Sequence, residues 1–322
     1  MSPETSTIKT AQVGAACTPL SKVGLGTAKL THRDEQAEAT RVVSASIELG
    51  ISYFDTAPYY GLGQAELALG TALHELGDAA VTISTKVGRI IDPDAGTWHY
   101  DYSRDGVLRS LESSFGRLQR DHVDIVYVHD PDDYAAEASA TAIPALLQLR
   151  EEGVIGAVGV GMNQWQLPLE FVRNFDLDVI LIAGRYSLLD ASAADELFPT
   201  CIERGVGVVV GGVFNSGILA DPSDAATFAY RPAAPELLEK ARRMQAVANR
   251  HGFALADVAQ AFSAAHPAAT SVLIGVTKVE EITKNVEAWH RPVPPALWAE
   301  LAAESLLPHG GMLPHGAGGG AL

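Results

Sequence analysis

The chain alternates short apolar runs with amphipathic segments, and this alternation restricts its fold more than any other feature of the sequence. The runs are rich in β-branched residues and are bounded by Gly, Asp or Asn, which is typical of buried strands. We therefore expect eight strands, at Val23–Ala28, Ile51–Phe54, Val81–Lys86, Val123–His129, Ala157–Gly161, Val179–Ala183, Val206–Gly212 and Ser271–Val276.

The segments between these runs have helical character. Asp34–Leu49 opens with acidic residues and has apolar positions three and four residues apart, and Arg104–Arg117 repeats the pattern after Ser103, a candidate N-cap. Near-continuous apolar strands that alternate with amphipathic helices predict a parallel sheet covered by helices. With eight such units we expect an α/β fold, a closed (β/α)8 TIM barrel rather than an open sheet.

A barrel of this size folds as one domain, which we place at residues 1–307 of the 322-residue chain. The Gly-rich remainder, 308–322, has few apolar side chains and is expected to be a flexible tail. Gly88–Tyr102 and Phe214–Pro235 exceed the length of ordinary βα loops. Because such loops surround the active site of a barrel, we predict that both segments form walls of a substrate pocket.

Composition excludes several classes of function. The net charge of −16 argues against nucleic-acid binding, which needs clustered Lys and Arg. The longest apolar stretch, Val206–Val213, is too short to cross a membrane, and the first residues do not resemble a secretory signal. Cys17 and Cys201 form neither a disulfide framework nor a metal-binding pattern and are predicted to be buried. We expect a cytoplasmic monomer or small homo-oligomer that acts on a small molecule without a metal.

Four polar residues stand at or just beyond the carboxyl ends of three consecutive strands: Asp55, Tyr60, Lys86 and His129. A phenol has a free pKa near ~10 and needs a neighbouring ammonium to act as a base, which Lys86 can supply. A buried ammonium in turn needs a carboxylate, and Asp55 is the candidate. His129 can exchange a hydrogen bond with a substrate oxygen. Each residue alone is more often structural, but together they predict a proton-transfer site.

The same residues carry a resemblance to a known family. Phe54–Gly61 with Glu66, Ser84–Gly88 and Val126–His129 resemble the aldo-keto reductase superfamily. Further segments resemble one branch of that superfamily, the sugar-oxidising dehydrogenases. This branch includes L-fucose (D-threo-aldose) 1-dehydrogenase, L-galactose dehydrogenase and pyridoxal 4-dehydrogenase. The segments are His99–Val107, Tyr127–Asp133, Val158–Trp165, Ala183–Leu189, Gly211–Leu219 and Pro294–Trp298.

This resemblance implies a reaction and the residues that perform it. Tyr60 matches the family's general acid/base, Asp55 and Lys86 match the pair that tunes it, and His129 matches the residue that polarises the carbonyl or hydroxyl. The reaction implied is hydride transfer with nicotinamide, which for an aldose converts the anomeric carbon to a lactone. Candidate walls of the substrate pocket are Tyr59, Trp98, His99 and Trp165.

The cofactor contacts implied by the resemblance are less conventional. Many relatives hold the carboxamide with a Ser-Asn pair and a Gln and stack the ring on a Tyr, whereas this chain has Gly161, Ala183 and Gly211. Asn163 is the candidate for the carboxamide, Tyr186 or Phe214 for ring packing, and the loop Phe214–Leu219 for the pyrophosphate. The full set implied is Thr27, Asp55, Asn163, Tyr186, Phe214, Asn215, Ser216, Gly217, Leu219, Gly275, Thr277, Lys278, Glu281 and Asn285.

Glu281 stands where NADPH-preferring relatives commonly carry an Arg. A carboxylate there repels a 2′-phosphate and can accept from a ribose hydroxyl, so the resemblance implies that NAD is preferred. Lys278 could reach the phosphate instead, which keeps NADP open.

Other functions use the same residues differently. One is an NADPH-dependent reductase of aldehydes or ketones, and another is a cofactor-binding regulatory subunit with little turnover. A hydrolase or isomerase would need metal ligands or another kind of phosphate pocket, and the sequence has no such cluster.

Overall fold

The computed structural model describes residues 8–31 and 36–314, and its centre is a closed barrel of parallel strands. Each strand pairs with the next one along the chain, and the last pairs with the first. The predicted fold class and all eight predicted strands are confirmed: β1 Val23–Gly26, β2 Tyr53–Asp55, β3 Thr82–Val87, β4 Val123–His129, β5 Ile155–Met162, β6 Val179–Ala183, β7 Gly207–Gly211 and β8 Ala269–Gly275.

Helices connect the strands and cover the outside of the barrel: α1 Gln36–Glu48, α2 Gln64–Glu75, α3 Arg104–Leu118, α4 Ile143–Glu151, α5 Gln166–Asn174, α6 Leu197–Arg204, α7 Pro235–Arg250, α8 Leu255–Ser263, α9 Val279–Trp289 and α10 Pro295–Ala303. Short helical turns from Asp132 to Ala142 lead into α4. The predicted N-cap is confirmed, because Ser103 Oγ accepts a hydrogen bond of 3.1 Å from Gly106 N. The predicted start of α1 at Asp34 lies outside the described residues.

Two strands that the sequence did not predict form a hairpin, Thr10–Val13 with Thr18–Ser21, across the amino end of the barrel. Val13 and Leu20 from this hairpin join the apolar cluster inside the barrel. A Cβ on Gly207, at the amino end of β7, would lie 2.4 Å from Val13 Cγ1, so the fit requires glycine there. The hairpin therefore closes the barrel at the end opposite the strand carboxyl termini. Cys201 is buried as predicted, whereas Cys17, in the hairpin turn, is exposed and that prediction is wrong.

Both long segments that follow the strand carboxyl ends contain hairpins. Arg89–Asp92 pairs with Thr97–Tyr100 after β3, and Thr227–Phe228 pairs with Arg231–Pro232 after β7. They rise from the rim of the barrel and give the two predicted pocket walls a defined shape.

The end of the described chain packs against the barrel. Met312 N donates a hydrogen bond of 3.1 Å to the Tyr186 hydroxyl, and Leu313 packs on the core. The rest of the predicted flexible tail, from residue 315, lies outside the described residues. Among the helices described, none has the length and apolarity required to cross a membrane.

Candidate active site

A buried ion pair lies at the centre of the strand carboxyl ends. Lys86 Nζ donates to both carboxylate oxygens of Asp55, at 2.9 and 2.8 Å, and to the carbonyl of Thr56 at 2.7 Å. Asp55 ends β2 and Lys86 lies near the end of β3, which are neighbours in the barrel. Both side chains are almost fully buried. Because each charge is compensated by hydrogen bonds, the pair can persist in a region with little water.

Tyr60 packs against this ion pair. The Lys86 ammonium lies 4.6 Å from the centre of its ring. Burial raises the pKa of Tyr60, Lys86 lowers it, and Asp55 raises it, so that the net pKa is above the usual value. Burial opposes the charge on Lys86, but Asp55 and Tyr60 together raise its pKa. At neutral pH the site therefore holds a phenol beside an ammonium.

His129 ends β4 and faces Tyr60, with 6.0 Å between the ring centres and the planes almost perpendicular. Burial lowers the pKa of His129 well below its usual range, and the charges of Lys86 and Arg89 lower it further. The imidazole is thus neutral at pH 7. Its Nδ1 is buried without a hydrogen-bond partner among the described residues, and its Nε2 lies 3.7 Å from Asp130 Oδ2. A neutral imidazole can donate one hydrogen bond to a substrate oxygen without changing charge.

A hydrogen-bonded chain inside the barrel supports Asp55 from below. Ser84 Oγ donates to Asp55 Oδ1 at 2.7 Å, and the Tyr53 hydroxyl lies 3.0 Å from Ser84 Oγ and 3.2 Å from the Tyr127 hydroxyl. These residues lie on β2, β3 and β4 and are fully buried. They hold the carboxylate of Asp55 in the orientation that lets both oxygens meet Lys86.

A cavity of about 420 Å³ opens directly above the predicted catalytic residues. Its volume suits a small substrate together with a ring of the size of nicotinamide. Tyr60, Lys86 and His129 reach it, whereas Asp55 lies beneath Lys86. The other lining residues are Ala28, Tyr59, Arg89, Asp130, Gly161, Met162, Asn163, Leu181, Ala183 and Tyr230.

The four predicted pocket residues fall in different places. Tyr59 lines the cavity, and Trp98 supports it from behind with its ring centre 5.1 Å away. His99 is exposed on the opposite face of its hairpin from Trp98, because side chains alternate along a strand. Trp165 packs against the core instead of the cavity. Neither His99 nor Trp165 is therefore part of the lining of the first cavity.

A second cavity of about 430 Å³ adjoins the first and runs between the loops after β6 and β7. Gly161 and Ala183 line the first cavity near the ends of neighbouring strands, Gly211 pairs with Ala183 on the next strand, and a Cβ on Gly161 would lie 3.7 Å from Lys86 Cε. These small residues leave a shelf beside Tyr60 and Lys86 that a larger side chain would fill. The residues present therefore fit a flat nicotinamide ring, and Asn163 at the edge of both cavities can bind its carboxamide.

The predicted ring-packing and pyrophosphate residues are only partly brought to this cavity. Tyr186 is fully buried, stacks on Phe262 with ring centres 5.3 Å apart, and accepts from Met312 N, so its assignment to ring packing is wrong. Phe214 packs partly buried against the core. Asn215 lines the second cavity, but its side chain donates to the Gly184 carbonyl. Of the rest, Ser216 lines the second cavity, Leu219 is buried, and Gly217 has a positive φ of 107°.

The predicted adenosine end lies at the start of α9. Glu281 Oε2 accepts from Thr277 N at 2.8 Å, and Asn285 Nδ2 donates to the Glu281 carbonyl at 2.8 Å. Lys278 is exposed, and Gly275 ends β8. Thr27, in contrast, is buried under Asp55 and donates to its carbonyl at 3.0 Å, so that its hydroxyl joins β1 to β2.

Three residues of the site were not singled out from the sequence. Arg89 and Asp130 line the first cavity, and their positions directly after Gly88 and His129 were the available signals. Tyr230 lines both cavities from the hairpin after β7, where its N donates to Ser216 Oγ at 3.0 Å. Nothing in the local sequence marks Tyr230, because the hairpin that presents it is only two residues long on each side.

The structure is a parallel barrel with a cluster of Tyr, Lys, Asp and His beside a space for a flat ring. This arrangement is typical of nicotinamide-dependent oxidoreductases. Comparison with known proteins agrees, because the model of the Aldo/keto reductase family matches residues 22–304. The chain therefore belongs to the aldo/keto reductase family.

Individual relatives lie in the branch that the sequence motifs indicate. The chain is 36% identical to pyridoxal 4-dehydrogenase of Microbacterium luteolum, with 89% of this chain and 95% of the relative covered. It is 35% identical to D-threo-aldose 1-dehydrogenase of Pseudomonas sp., with 84% and 89% covered. The holo form of aldo-keto reductase AKR11C1 from Bacillus halodurans superposes with a TM-score of 0.78 at 25% identity, over 96% of this chain and 99% of that one.

Proposed function

We propose that the protein oxidises an aldose at its anomeric carbon, transferring hydride to NAD and giving a lactone. The observation that carries this proposal is the contact of Tyr60 with the Asp55–Lys86 ion pair, opposite a neutral His129 and at the floor of a small-molecule cavity. Similarity to D-threo-aldose 1-dehydrogenase supports a sugar as substrate. Similarity to pyridoxal 4-dehydrogenase makes pyridoxal the second compound to test.

In the proposed reaction, Tyr60 exchanges a proton with the substrate oxygen. In the oxidising direction Tyr60 must act as a phenolate, and the adjacent Lys86 ammonium stabilises that form. Asp55 and the Thr56 carbonyl hold Lys86 so that its charge faces the phenol. His129 donates to the same substrate oxygen and fixes it against Tyr60. In the reducing direction Tyr60 returns the proton as an acid.

The dinucleotide, when bound, supplies the hydride acceptor or donor. On the shelf formed by Gly161, Ala183 and Gly211 we assign the nicotinamide, with Asn163 binding its carboxamide. We assign the pyrophosphate to the backbone of Phe214–Leu219, because consecutive N–H groups can bind phosphate without a cluster of basic side chains.

We propose that NAD is preferred, and two carboxylates near the start of α9 support this. Glu281 accepts from Thr277 N, and Glu38 of α1, which accepts from Arg41, lies near Val279. A 2′-phosphate in this region would approach the charge of Glu281, whereas Arg41 compensates that of Glu38, so Glu281 is the residue that disfavours NADP. We expect Glu281→Arg to shift the ratio of kcat/KM for NAD and NADP toward NADP by about tenfold. The dissociation constants of NADH and NADPH, from fluorescence titration, should shift in the same direction, and an unchanged ratio would contradict the assignment.

Tyr60→Phe tests the proposal directly. We expect turnover with aldoses, pyridoxal and simple alcohols to fall by at least about a thousandfold, because the variant has no group that can take the proton. The affinity for NADH should remain within about threefold of the native value, since the phenol ring is retained. Substantial residual turnover would remove Tyr60 from its assigned role. A native protein that binds NADH but oxidises none of the panel would favour a regulatory function.

A further inference from the structure

An arginine that the reaction does not use lies in the wall of the first cavity. Arg89 begins the hairpin after β3, and its side chain is only 11% exposed. The centre of its guanidinium group lies 4.5 Å from the Tyr59 ring and 5.2 Å from the Trp98 ring. Its Nε is buried without a hydrogen-bond partner among the described residues.

The Arg89 side chain is directed at Asp130, the residue after His129. The two side chains form a hydrogen-bonded ion pair of 2.6 Å between Arg89 Nη2 and Asp130 Oδ2. Asn163 Nδ2 lies 3.4 Å from the other oxygen, Asp130 Oδ1. Asp130 has a positive φ of 42°, and its N donates to the Gly161 carbonyl at 3.0 Å, so the backbone aims the carboxylate into the cavity mouth.

The environment of this pair is unusual for a purely structural ion pair. Partial burial of a charged pair carries a desolvation cost, and apolar residues of similar volume would fill the same space without it. Both residues nevertheless line the substrate cavity beside His129 and also the adjoining space of about 350 Å³ under Tyr134. Charged groups that line a cavity in this way give a ligand fixed acceptors and donors.

We propose that the Arg89–Asp130 pair recognises the ring hydroxyls of a neutral aldose and so determines the substrate class. This inference rests on the function proposed above. Asp130 accepts hydrogen bonds from hydroxyls next to the reacting carbon, and Arg89 donates to them and holds the carboxylate in place. Tyr59 covers the apolar face of the sugar. Because Asp130 compensates the charge of Arg89 and places a carboxylate in the cavity, anionic sugars such as uronic acids and sugar phosphates are disfavoured.

Two substrates that react at the same kind of carbon, but differ in their other hydroxyl groups, can test whether the Arg89–Asp130 pair recognises those hydroxyls. An aldopyranose and tetrahydropyran-2-ol are both cyclic hemiacetals that oxidise to lactones, but the second has no other hydroxyl group. We expect Asp130→Asn to lower kcat/KM for the aldose by roughly ten- to hundredfold, the loss usual for a hydrogen bond to a charged group. For tetrahydropyran-2-ol the change should stay within about threefold. Asp94→Asn, which removes an exposed carboxylate from the tip of the same hairpin, is the matched control and should change neither value.

A second variant covers the case in which Asp130→Asn fails to fold. Arg89→Lys keeps the charge but loses the planar pair of donors, and it should lower kcat/KM for the aldose selectively. Equal losses with both substrates, or no loss with either, would overturn the inference, because the pair would then act on His129 or on the fold alone. Native enzyme that oxidises neither compound would instead contradict the proposed function.

Discussion

At the scale of single residues, the site depends on one ammonium group that has three tasks. Lys86 compensates the buried charge of Asp55, donates to the backbone of Thr56 and, in the proposed mechanism, stabilises the anionic form of Tyr60. The first two contacts stabilise the fold and position the ammonium group, and only the third acts on the proposed reaction directly. Substitutions can therefore separate stability from activity at this position.

We expect Lys86→Met to lower the free energy of unfolding by about 3–5 kcal/mol, because it leaves the Asp55 carboxylate buried and unpaired. The double variant Asp55→Asn with Lys86→Met should recover most of that loss, since it removes both charges. Neither variant should regain turnover, because the phenolate of Tyr60 is no longer stabilised. Chemical denaturation and kcat/KM measure the two quantities. Recovery of activity in the double variant would contradict the role of Lys86.

The pH dependence of the reaction follows from the pKa shifts at the same residues. Burial raises the pKa of Tyr60, so the phenol form predominates at neutral pH. The reactive phenolate becomes more abundant as pH rises toward that pKa. We expect kcat/KM for oxidation to increase from about pH 6 to about pH 9. The pKa of His129 is lowered well below its usual range by burial, so its titration should not appear in that interval. An acidic limb near the ordinary histidine pKa that disappears in His129→Gln would argue against a neutral imidazole.

The sequence predicted the positions of Asp55, Lys86 and His129 better than those of the surrounding side chains, for a physical reason. Asp55, Lys86 and His129 lie at strand ends, and the position of a strand end follows from the apolar pattern. The placement of Tyr186 and His99 depends on which way a side chain points after the strand has ended. Tyr186 turned into the core and His99 turned to solvent. In an irregular or short segment the sequence has no periodic pattern from which the direction of a side chain can be predicted.

At the scale of elements, the hairpin after β3 connects the pocket wall to the catalytic strand. Tyr102, just beyond the hairpin, donates its hydroxyl to the carbonyls of His129 and Asp130, at 2.7 and 2.9 Å. Gly88, just before the hairpin, has a φ of 103° and lies against the Tyr102 ring. The hairpin thus positions Arg89 and the end of β4 together.

Gly88→Ala should therefore displace residues of the site, although Gly88 itself does not line the cavity. The new Cβ would lie 2.1 Å from Tyr102 Cε1, and the positive φ disfavours any side chain. We expect kcat/KM to fall by about tenfold or more as Tyr102 moves away from His129. Gly96→Ala is the matched control, because Gly96 at the hairpin tip also has a positive φ but no atom within 4 Å of the added Cβ. Equal effects of the two variants would show that backbone strain alone is responsible.

The barrel strands could be predicted from the sequence, but the hairpins could not. All eight barrel strands are buried apolar runs, and their predicted ends differ from the observed ones by no more than two residues. The hairpin after β3 has only four residues on each side, all of them half-buried or exposed, and only Thr97–Tyr100 alternates between the two. A burial pattern of four residues cannot be told from that of a loop by sequence alone. Thr10–Val13 and its partner strand are equally short and were missed for the same reason.

At the scale of the whole molecule, histidine burial links stability to pH. His266 is buried, its Nδ1 accepts from Ala268 N at 3.1 Å, and burial lowers its pKa to about 4. Between that value and the ordinary histidine pKa the unfolded chain binds a proton that the folded chain does not. Stability should therefore rise with pH through this interval, and acidification from pH 7 to pH 5 should lower the melting temperature.

His266→Asn should reduce this loss, because an amide oxygen can still accept from Ala268 N but does not titrate. His122→Asn, at an exposed position, is the control and should leave the slope unchanged. Melting temperatures at several pH values measure the effect. Identical slopes in the native protein and in His266→Asn would contradict the assignment.

The hairpin formed by Thr10–Val13 and Thr18–Ser21 has a practical consequence. It seals one end of the barrel, so substrate and cofactor must pass through the opposite end. A surface tether or an electrode linker joined to the exposed Cys17 in the turn of this hairpin would lie on the sealed side, away from the entrance for substrate and cofactor. The molecule is thus suited to oriented immobilisation through its amino-terminal face, with its opening turned toward the solution.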